Sequence, residues 1–242
     1  MIKNIKIGAD PEIFLYDRKK LEYVSAAGHF PGTKKEPYPV DRGAIQVDGV
    51  ALEFNINAAE SENEFFKNIN TVFNQMQEMV VAVNKDWEIK AIPVAKFNKN
   101  TWKHIPEDAK ILGCDPDYNY TGMANPNPGE QLLNTPLRTG SGHIHIGWTE
   151  DEDVQDPLHF QDCRFIADKF RSCAGEHGFY QARTNGEYTR IQYYGMNGAF
   201  RPKPYGVELR SPSNRWLASE QTIRSVYRET KQYFTVITAG AK

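Results

Sequence analysis

Apolar and polar positions alternate along residues 5–16 as in a half-buried strand, and residues 21–25 (LEYVS) read as its hairpin partner. A Gly/Pro-rich loop, GHFPGTKKEPYP, follows, and residues 44–56 (AIQVDGVALEFNI) read as one long strand or a hairpin. From Ala59 the spacing lengthens. Phe65, Phe66, Ile69, Val72, Phe73, Met76, Met79, Val80 and Val83 recur at three- and four-residue intervals, with Ser61 and Glu64 placed as a capping box. Residues 88–95 (EIKAIPVA) form a strand candidate, and 113–138, dense in Asn, Pro, Gly and Asp, read as loop. A strand over 142–149 (GHIHIGWT) precedes an acidic loop and a helix from about Pro157 to Gly175, with Phe160, Cys163, Ile166, Ala167 and Phe170 on its apolar side. Residues 188–201, aromatic and Gly-containing, read as strands with a turn, and 204–211 as a further strand. A last helix starts at Ser213 or Asn214 and runs to about Thr238. Strands and long helices segregate without regular βαβ alternation. The expected fold is α+β, a curved and mainly antiparallel sheet with helices packed on one face.

The strands differ from ordinary amphipathic ones in what their polar positions carry. Side chains two residues apart project from the same face. Asp10 and Glu12 are such a pair, as are Glu53 and Asn55, His143 and His145, and Glu208 and Arg210. In the last three the intervening positions are strongly apolar and face the helices. The opposite face of the sheet then gathers carboxylates, imidazoles and a guanidinium. Gln46 and Asp48 share a face, but Asp48 and Glu53 differ in parity, so a bulge or tight turn at Gly49 is needed to unite them. Each pair alone has a plain structural reading: a solvated edge for Asp10-Pro-Glu12, an exposed face for Glu53/Asn55, an ion-pair element for Glu208/Arg210. Four together point to a cation site. Clustered carboxylates repel and need a counter-charge, hard divalent ions prefer carboxylate oxygens, and a neutral imidazole adds a nitrogen ligand. The adjoining guanidinium suits a phosphate or carboxylate.

Charge and composition narrow the classes. The 242 residues carry 29 Lys+Arg against 31 Asp+Glu, a net charge of -2, which argues against a broadly basic nucleic-acid binder. The length suits a single domain over 1–242 with one large core. No run approaches the ~18 apolar residues of a membrane span, and the N-terminal stretch reads as a strand and not as a signal peptide. Cys114, Cys163 and Cys173 form no CxxC pair and are odd in number, which suits reduced thiols in a cytoplasmic setting.

These segments resemble a known family. GADPE at 8–12, VDGVALEFNI at 47–56, SGHIHIG at 141–147 and VELRSPSNRWL at 207–217 look like the phage-encoded COOH–NH2 ligase type 2 family, assigned as amidoligases of the glutamine synthetase/glutamate–cysteine ligase superfamily. GHFPGTKKEPYP, GCDPD at 113–117 and FRPKPYGVE at 200–208 extend the likeness to nearly the whole chain. The resemblance implies a glutamine synthetase-like catalytic fold and an enzyme of the phage-infected host cytoplasm. It makes Asp10, Glu12, Asp48, Glu53 and Glu208 metal ligands, with His143 or His145 as the histidine ligand. Asp10 stands where many relatives have Glu, one methylene shorter. Arg210 would bind phosphate and, with Glu53 and Glu208, serve catalysis. Arg190, Arg201, Lys203 and His145 are further candidates for cofactor contact. Two or three Mg²⁺ or Mn²⁺ ions would hold ATP. A carboxylate would be activated as an acyl phosphate and an amine would then displace phosphate, so the implied partners are small-molecule or peptide acids and amines. No Walker GxxxxGK[ST] loop is present, so nucleotide binding would rest on the metal-rich sheet face.

Two rivals remain at this level. His143-x-His145 followed by Glu150 has roughly the spacing of a cupin metal motif, although Glu150 opens a solvated acidic run and long helices are unusual for a jelly roll. A non-catalytic phage structural or peptide-binding protein could keep the fold, but would be expected to have lost ligand residues that are all present here.

Overall fold

The computed structural model describes residues 5–111, 117–126, 133–174, 185–196 and 198–240, without the side chains of 173, 174 and 185. Strand β1 (Lys6–Asp17) is the spine of the sheet. Around it lie β2 (Glu22–Val24), β3 (Tyr38–Val40), β4 (Gly43–Asp48) and β5 (Ala51–Ile56). Helix α1 (Glu62–Val83) leads to β6 (Trp87–Lys90), β7 (Val94–Lys96) and two short helices, α2 (Lys99–Lys103) and α3 (Glu107–Lys110). The chain continues through β8 (Leu137–Thr139), β9 (Gly142–Gly147), α4 (Pro157–Ala174) and α5 (Asn185–Arg190). It ends with β10 (Phe200–Lys203), β11 (Gly206–Leu209), a 3-10 turn at Asn214–Ala218 and α6 (Glu220–Ala239). The main sheet runs β10-β11-β9-β1-β5-β4-β3, with β2 and β6 pairing the end of β1, while β7 and β8 form a separate ribbon. Its strand pairings among the described residues are antiparallel. The described residues thus form a mixed α/β fold with an open, mostly antiparallel sheet and six helices.

One face of the sheet is the core. Ile7, Ile13, Leu15, Leu52, Phe54, Ile144, Ile146, Val207 and Leu209 are buried there against α1, α4 and α6. Helix α1 contributes Phe65, Ile69, Val72, Met76 and Val80, the i, i+4, i+7, i+11, i+15 stripe that its sequence shows. Asn68 sits in the same stripe and is satisfied. Its amide donates to Asn57 O at 2.8 Å and accepts from Arg42 Nη1 at 2.9 Å, tying the helix to the end of β5. A satellite core of Phe14, Val50, Ala51, Ala95, Phe97, Trp102, Ile105 and Ala109 covers part of the other face.

Most of the expected elements occur, with four differences. Residues 88–95 divide between β6 and β7, which belong to different sheets, at the proline that cannot donate to a ladder. Residues 188–201 are not a strand pair: α5 and a turn occupy the described part before Phe200, and Asn197 lies outside the described residues. The cause is Arg190, fully buried, whose guanidinium donates to the carbonyls of Ser211 (2.8 Å) and Pro212 (3.0 Å) and pulls the segment inward against its aromatic β propensity. The last helix does not start at Ser213. A 3-10 turn brings Trp216 inward to donate to Gly142 O at 3.0 Å, and Ser219 then caps α6 in a reciprocal capping box with Thr222. At α1, Ser61 caps Glu64 N, but the Glu64 carboxylate accepts from Glu60 N (2.9 Å), one residue before the cap.

Within the 113–138 stretch, 117–126 and 133–136 are described as bridges and turns, Leu137 and Arg138 open β8, and 113–116 and 127–132 lie outside the described residues, as do Cys114 and Gly175. Cys163 is a buried free thiol that donates to Gly206 O at 3.2 Å, and burial pushes it up to about 12, so it is an inert packing residue. Among the described residues no helix is long and apolar enough to cross a membrane.

Of the two glycines of SGHIHIG, Gly142 is required by close approach. A Cβ at Gly142 would lie 2.5 Å from both Ser213 O and Trp216 Nε1. Gly142→Ala is therefore expected to destabilise the protein by about 2–3 kcal/mol, whereas Gly147→Ala, whose Cβ has 3.5 Å of room, should cost under about 1 kcal/mol. Equilibrium denaturation of the two variants checks this. Equal losses would show that the Trp216 turn does not press on β9.

Candidate functional site

The polar face of the sheet lines a cleft of about 1180 Å³. Antiparallel register decides which side chains meet there, because residues directly opposite share a face. Asp10 faces His143, Glu208 faces His145, Glu12 faces Glu53, and Arg201 faces Glu208. The parity problem between Asp48 and Glu53 is solved by a two-residue turn, with no bulge. Gly49 adopts φ +57°, so Asp48 pairs with Ala51 and falls on the face of Glu53. Pro11 lies inside the central strand and not at an edge, opposite Gly142. The ladder spares its missing N–H, and Glu12 N donates instead to Ser141 O at 2.8 Å.

Two groups of ligand-type atoms result. Asp10, His143 and Glu208 bring one atom each within 4.8 Å of one another, and so do Glu12, Asp48 and Glu53. In the first group, His143 Nδ1 lies 3.2 Å from Asp10 Oδ1 and 3.3 Å from Glu208 Oε1. His145 Nε2 approaches the same Asp10 oxygen at 3.0 Å. Asp10 Oδ1 and His145 Nε2 are nonetheless buried without a properly directed hydrogen bond. Lone pairs that converge on a point without bonding each other fit a shared cation.

Glu208, 1 % exposed, is surrounded by cations: Lys203 Nζ at 2.9 Å, Arg201 Nη1 at 3.5 Å, and Arg210, which touches it directly. Arg210 is pinned from its other side by Asp117 Oδ2 at 2.9 Å. Among the described residues, the second group has one cation in contact. Lys34, from the Gly/Pro-rich loop, reaches Asp48 Oδ1 at 2.9 Å but is half exposed.

The electrostatics of the two groups diverge accordingly. Burial, with the charge of Asp48, pushes the Glu12 carboxyl from 4.5 to about 7, although Ser141 N donates to it at 2.8 Å. Burial and then Asp10, Asp48 and Glu12 push Glu53 well above the usual carboxylate range. Burial acts upward on Asp10 too, but there the imidazoles of His145 and His143 outweigh it and hold the carboxyl low. Burial and the Arg210 guanidinium lower His143, which favours the neutral ring a metal ligand needs.

All the metal-ligand candidates, Asp10, Glu12, Asp48, Glu53, His143, His145 and Glu208, line this cleft, together with Arg201, Lys203 and Arg210. Arg190 does not. It lies behind the cleft wall, where burial lowers it to about 10, and it braces the carbonyls after β11. Glu150 lines the rim but is exposed and belongs to neither group.

Sequence reading missed Lys34 and Asp117, and also two tyrosines that hold the unliganded sides of the imidazoles. Tyr194 OH lies 3.3 Å from His143 Nε2, and Tyr205 OH bonds His145 Nδ1. Signals existed for three of them: Lys34 lies in GHFPGTKKEPYP, Asp117 ends GCDPD and Tyr205 sits between Lys203 and Glu208, whereas Tyr194 arrives from a turn. No protein-family model matches the chain, and no curated protein matches it.

A raised carboxyl favours folding while it is protonated. The contribution of Glu12 is present below about 4.5, its unfolded value, and is lost as pH rises through about 7. Without divalent ions the melting temperature should therefore fall between pH 5 and 7.5, and millimolar Mg²⁺ should restore it more at pH 7.5 than at pH 5. Glu12→Gln should flatten both trends. Thermal unfolding with and without Mg²⁺ reads them, and a Mg²⁺ effect independent of pH would contradict the cation assignment of the Glu12 group.

Proposed function

We propose that the protein is an ATP- and Mg²⁺-dependent carboxylate–amine ligase of glutamine synthetase-like fold, forming an amide or peptide bond by way of an acyl phosphate. The observation that carries the reading is the pair of ligand groups on one sheet face, with Arg201, Lys203 and Arg210 beside one of them. Carboxylates at this density need divalent cations, and adjacent arginine and lysine suit a polyphosphate. The resemblance of GADPE, VDGVALEFNI, SGHIHIG and VELRS to phage amidoligases points the same way, and it would place the enzyme in the host cytoplasm.

Asp10, His143 and Glu208 would hold one ion, and Glu12, Asp48 and Glu53 another. Bound Mg²⁺ or Mn²⁺ would neutralise the polyphosphate and the charge that develops as a phosphoryl group moves. The chain's own groups do the rest. Tyr194 and Tyr205 orient the two imidazoles, and Ser141 N fixes the Glu12 carboxylate. Lys203 and Arg201, partly exposed on β10, are placed to exchange Glu208 for phosphate oxygens. Arg210, fixed between Glu208 and Asp117, presents a guanidinium that does not reorganise during the reaction.

The open sheet with three long helices, and the exposed Glu150, speak against a cupin-like metalloenzyme using His143 and His145. ADP and phosphate release across a panel of carboxylates and amines tests the ligase reading, with Mg²⁺ and ATP binding followed by calorimetry. Glu12→Ala and Glu208→Ala are expected to lower turnover at least 100-fold. A parent protein that binds neither Mg²⁺ nor ATP would overturn the reading, and tight Zn²⁺ or Fe²⁺ binding without nucleotide affinity would favour the cupin-like one.

A further inference from the structure

Arg138, on β8, is buried where the satellite core meets the cleft. It is 4 % exposed, and its guanidinium carbon lies 4.4 Å from the Trp102 ring centroid. Nη1 donates to the carbonyls of Thr135 (3.1 Å) and Leu137 (2.5 Å). Nε and Nη2 are buried and have no hydrogen-bond partner. Among the described residues no carboxylate forms an ion pair with Arg138, and burial alone lowers its pKa, to about 10. The other guanidinium of the cleft floor, Arg210, has both Glu208 and Asp117. A buried cation without a counter-charge is an expensive arrangement unless something else supplies the charge.

The identity of the idle donors narrows what that is. Nε–H and Nη2–H are adjacent, coplanar and parallel, the edge of a guanidinium that grips a planar carboxylate side-on with two hydrogen bonds. Phe14, Val50, Ala51 and Ala109 line the same cleft and offer an apolar wall for a short carbon chain. Three residues further on, Ser141 N donates to Glu12. Chain geometry puts an upper limit of about 11 Å on the separation of the two Cα atoms, a span that a dicarboxylic amino acid or a short peptide fits within.

We infer that Arg138 anchors a carboxylate of the substrate that is not the reacting one. This rests on the ligase reading and deepens it. The substrate becomes a dicarboxylic amino acid or a peptide with a free carboxylate, held at one end by Arg138 and presented at the other to the ligand groups.

The test uses the full chain in Mg²⁺, with glutarate as the dicarboxylate probe and inorganic triphosphate as the competing anion. The Arg138 Nε–H resonance is followed by NMR in the unaltered protein, and affinities are measured for the parent, Arg138→Lys and Arg138→Met. Expected are a shift of that resonance with glutarate, at least tenfold weaker glutarate binding in both variants, and unchanged triphosphate binding. A resonance that moves with triphosphate and not glutarate would assign the anion to the nucleotide and overturn the inference. A resonance that moves with neither would make Arg138 a structural brace and overturn it as well. Glutarate binding that depends on Arg138, in a protein with no affinity for Mg²⁺-ATP, would sink the ligase reading while leaving the carboxylate anchor standing.

Discussion

Like charges on neighbouring strands repel, and this sheet sets Asp10, Glu12, Asp48, Glu53 and Glu208 around a single cleft. The arrangement cannot be relaxed locally. Each of these side chains is held to the polar face because the residues on either side of it are locked into the core, Ile13 beside Glu12 and Leu52 and Phe54 beside Glu53. Burial of the apolar face against three helices thus forces the carboxylates together, and the cleft must supply positive charge from elsewhere.

The protein does so unevenly. The half of the cleft nearest β10 and β11 is largely neutralised by its own chain, since Glu208 has Arg201, Lys203 and Arg210, while the imidazoles of His143 and His145 lie against Asp10. Among the described residues, the half built from β1, β4 and β5 has in contact only Lys34, whose half-exposed ammonium is a weak partner in water. That contrast explains why Glu12 and Glu53 are pushed to hold protons while Asp10 is kept ionised. It also assigns different duties to the two halves. Under the proposed function, the partly exposed Arg201 and Lys203 of the first would be taken over by a polyphosphate, and the second would take a cation from solution.

Much of this was legible in the alternation of the strands. Asp10/Glu12, Glu53/Asn55, His143/His145 and Glu208/Arg210 could be placed on one face from their two-residue spacing alone. Register supplied the convergence, and the only parity conflict, Asp48 with Glu53, yielded to the turn at Gly49. What the chain pattern concealed came from contacts distant in sequence. The aromatic run before Phe200 has the composition of a strand, yet buried Arg190 makes it a helix and turn. The last helix breaks because Trp216 must reach Gly142. Lys34, Tyr194 and Arg138 enter the cleft from loops and from the β7–β8 ribbon, and Asp117 braces Arg210 from behind it, at positions where no periodicity marks a residue as facing inward. Long-range ion pairs and cation–π stacking select such residues, and neither leaves a local signature.

The central claim is that the two ligand groups on the sheet face are cation sites. Anomalous diffraction from crystals grown with Mn²⁺ tests it most directly. Two peaks are expected in the cleft, one among Asp10, His143 and Glu208 and one among Glu12, Asp48 and Glu53. A cleft without anomalous density at saturating Mn²⁺, with its lysine and arginine ion pairs intact, would contradict it.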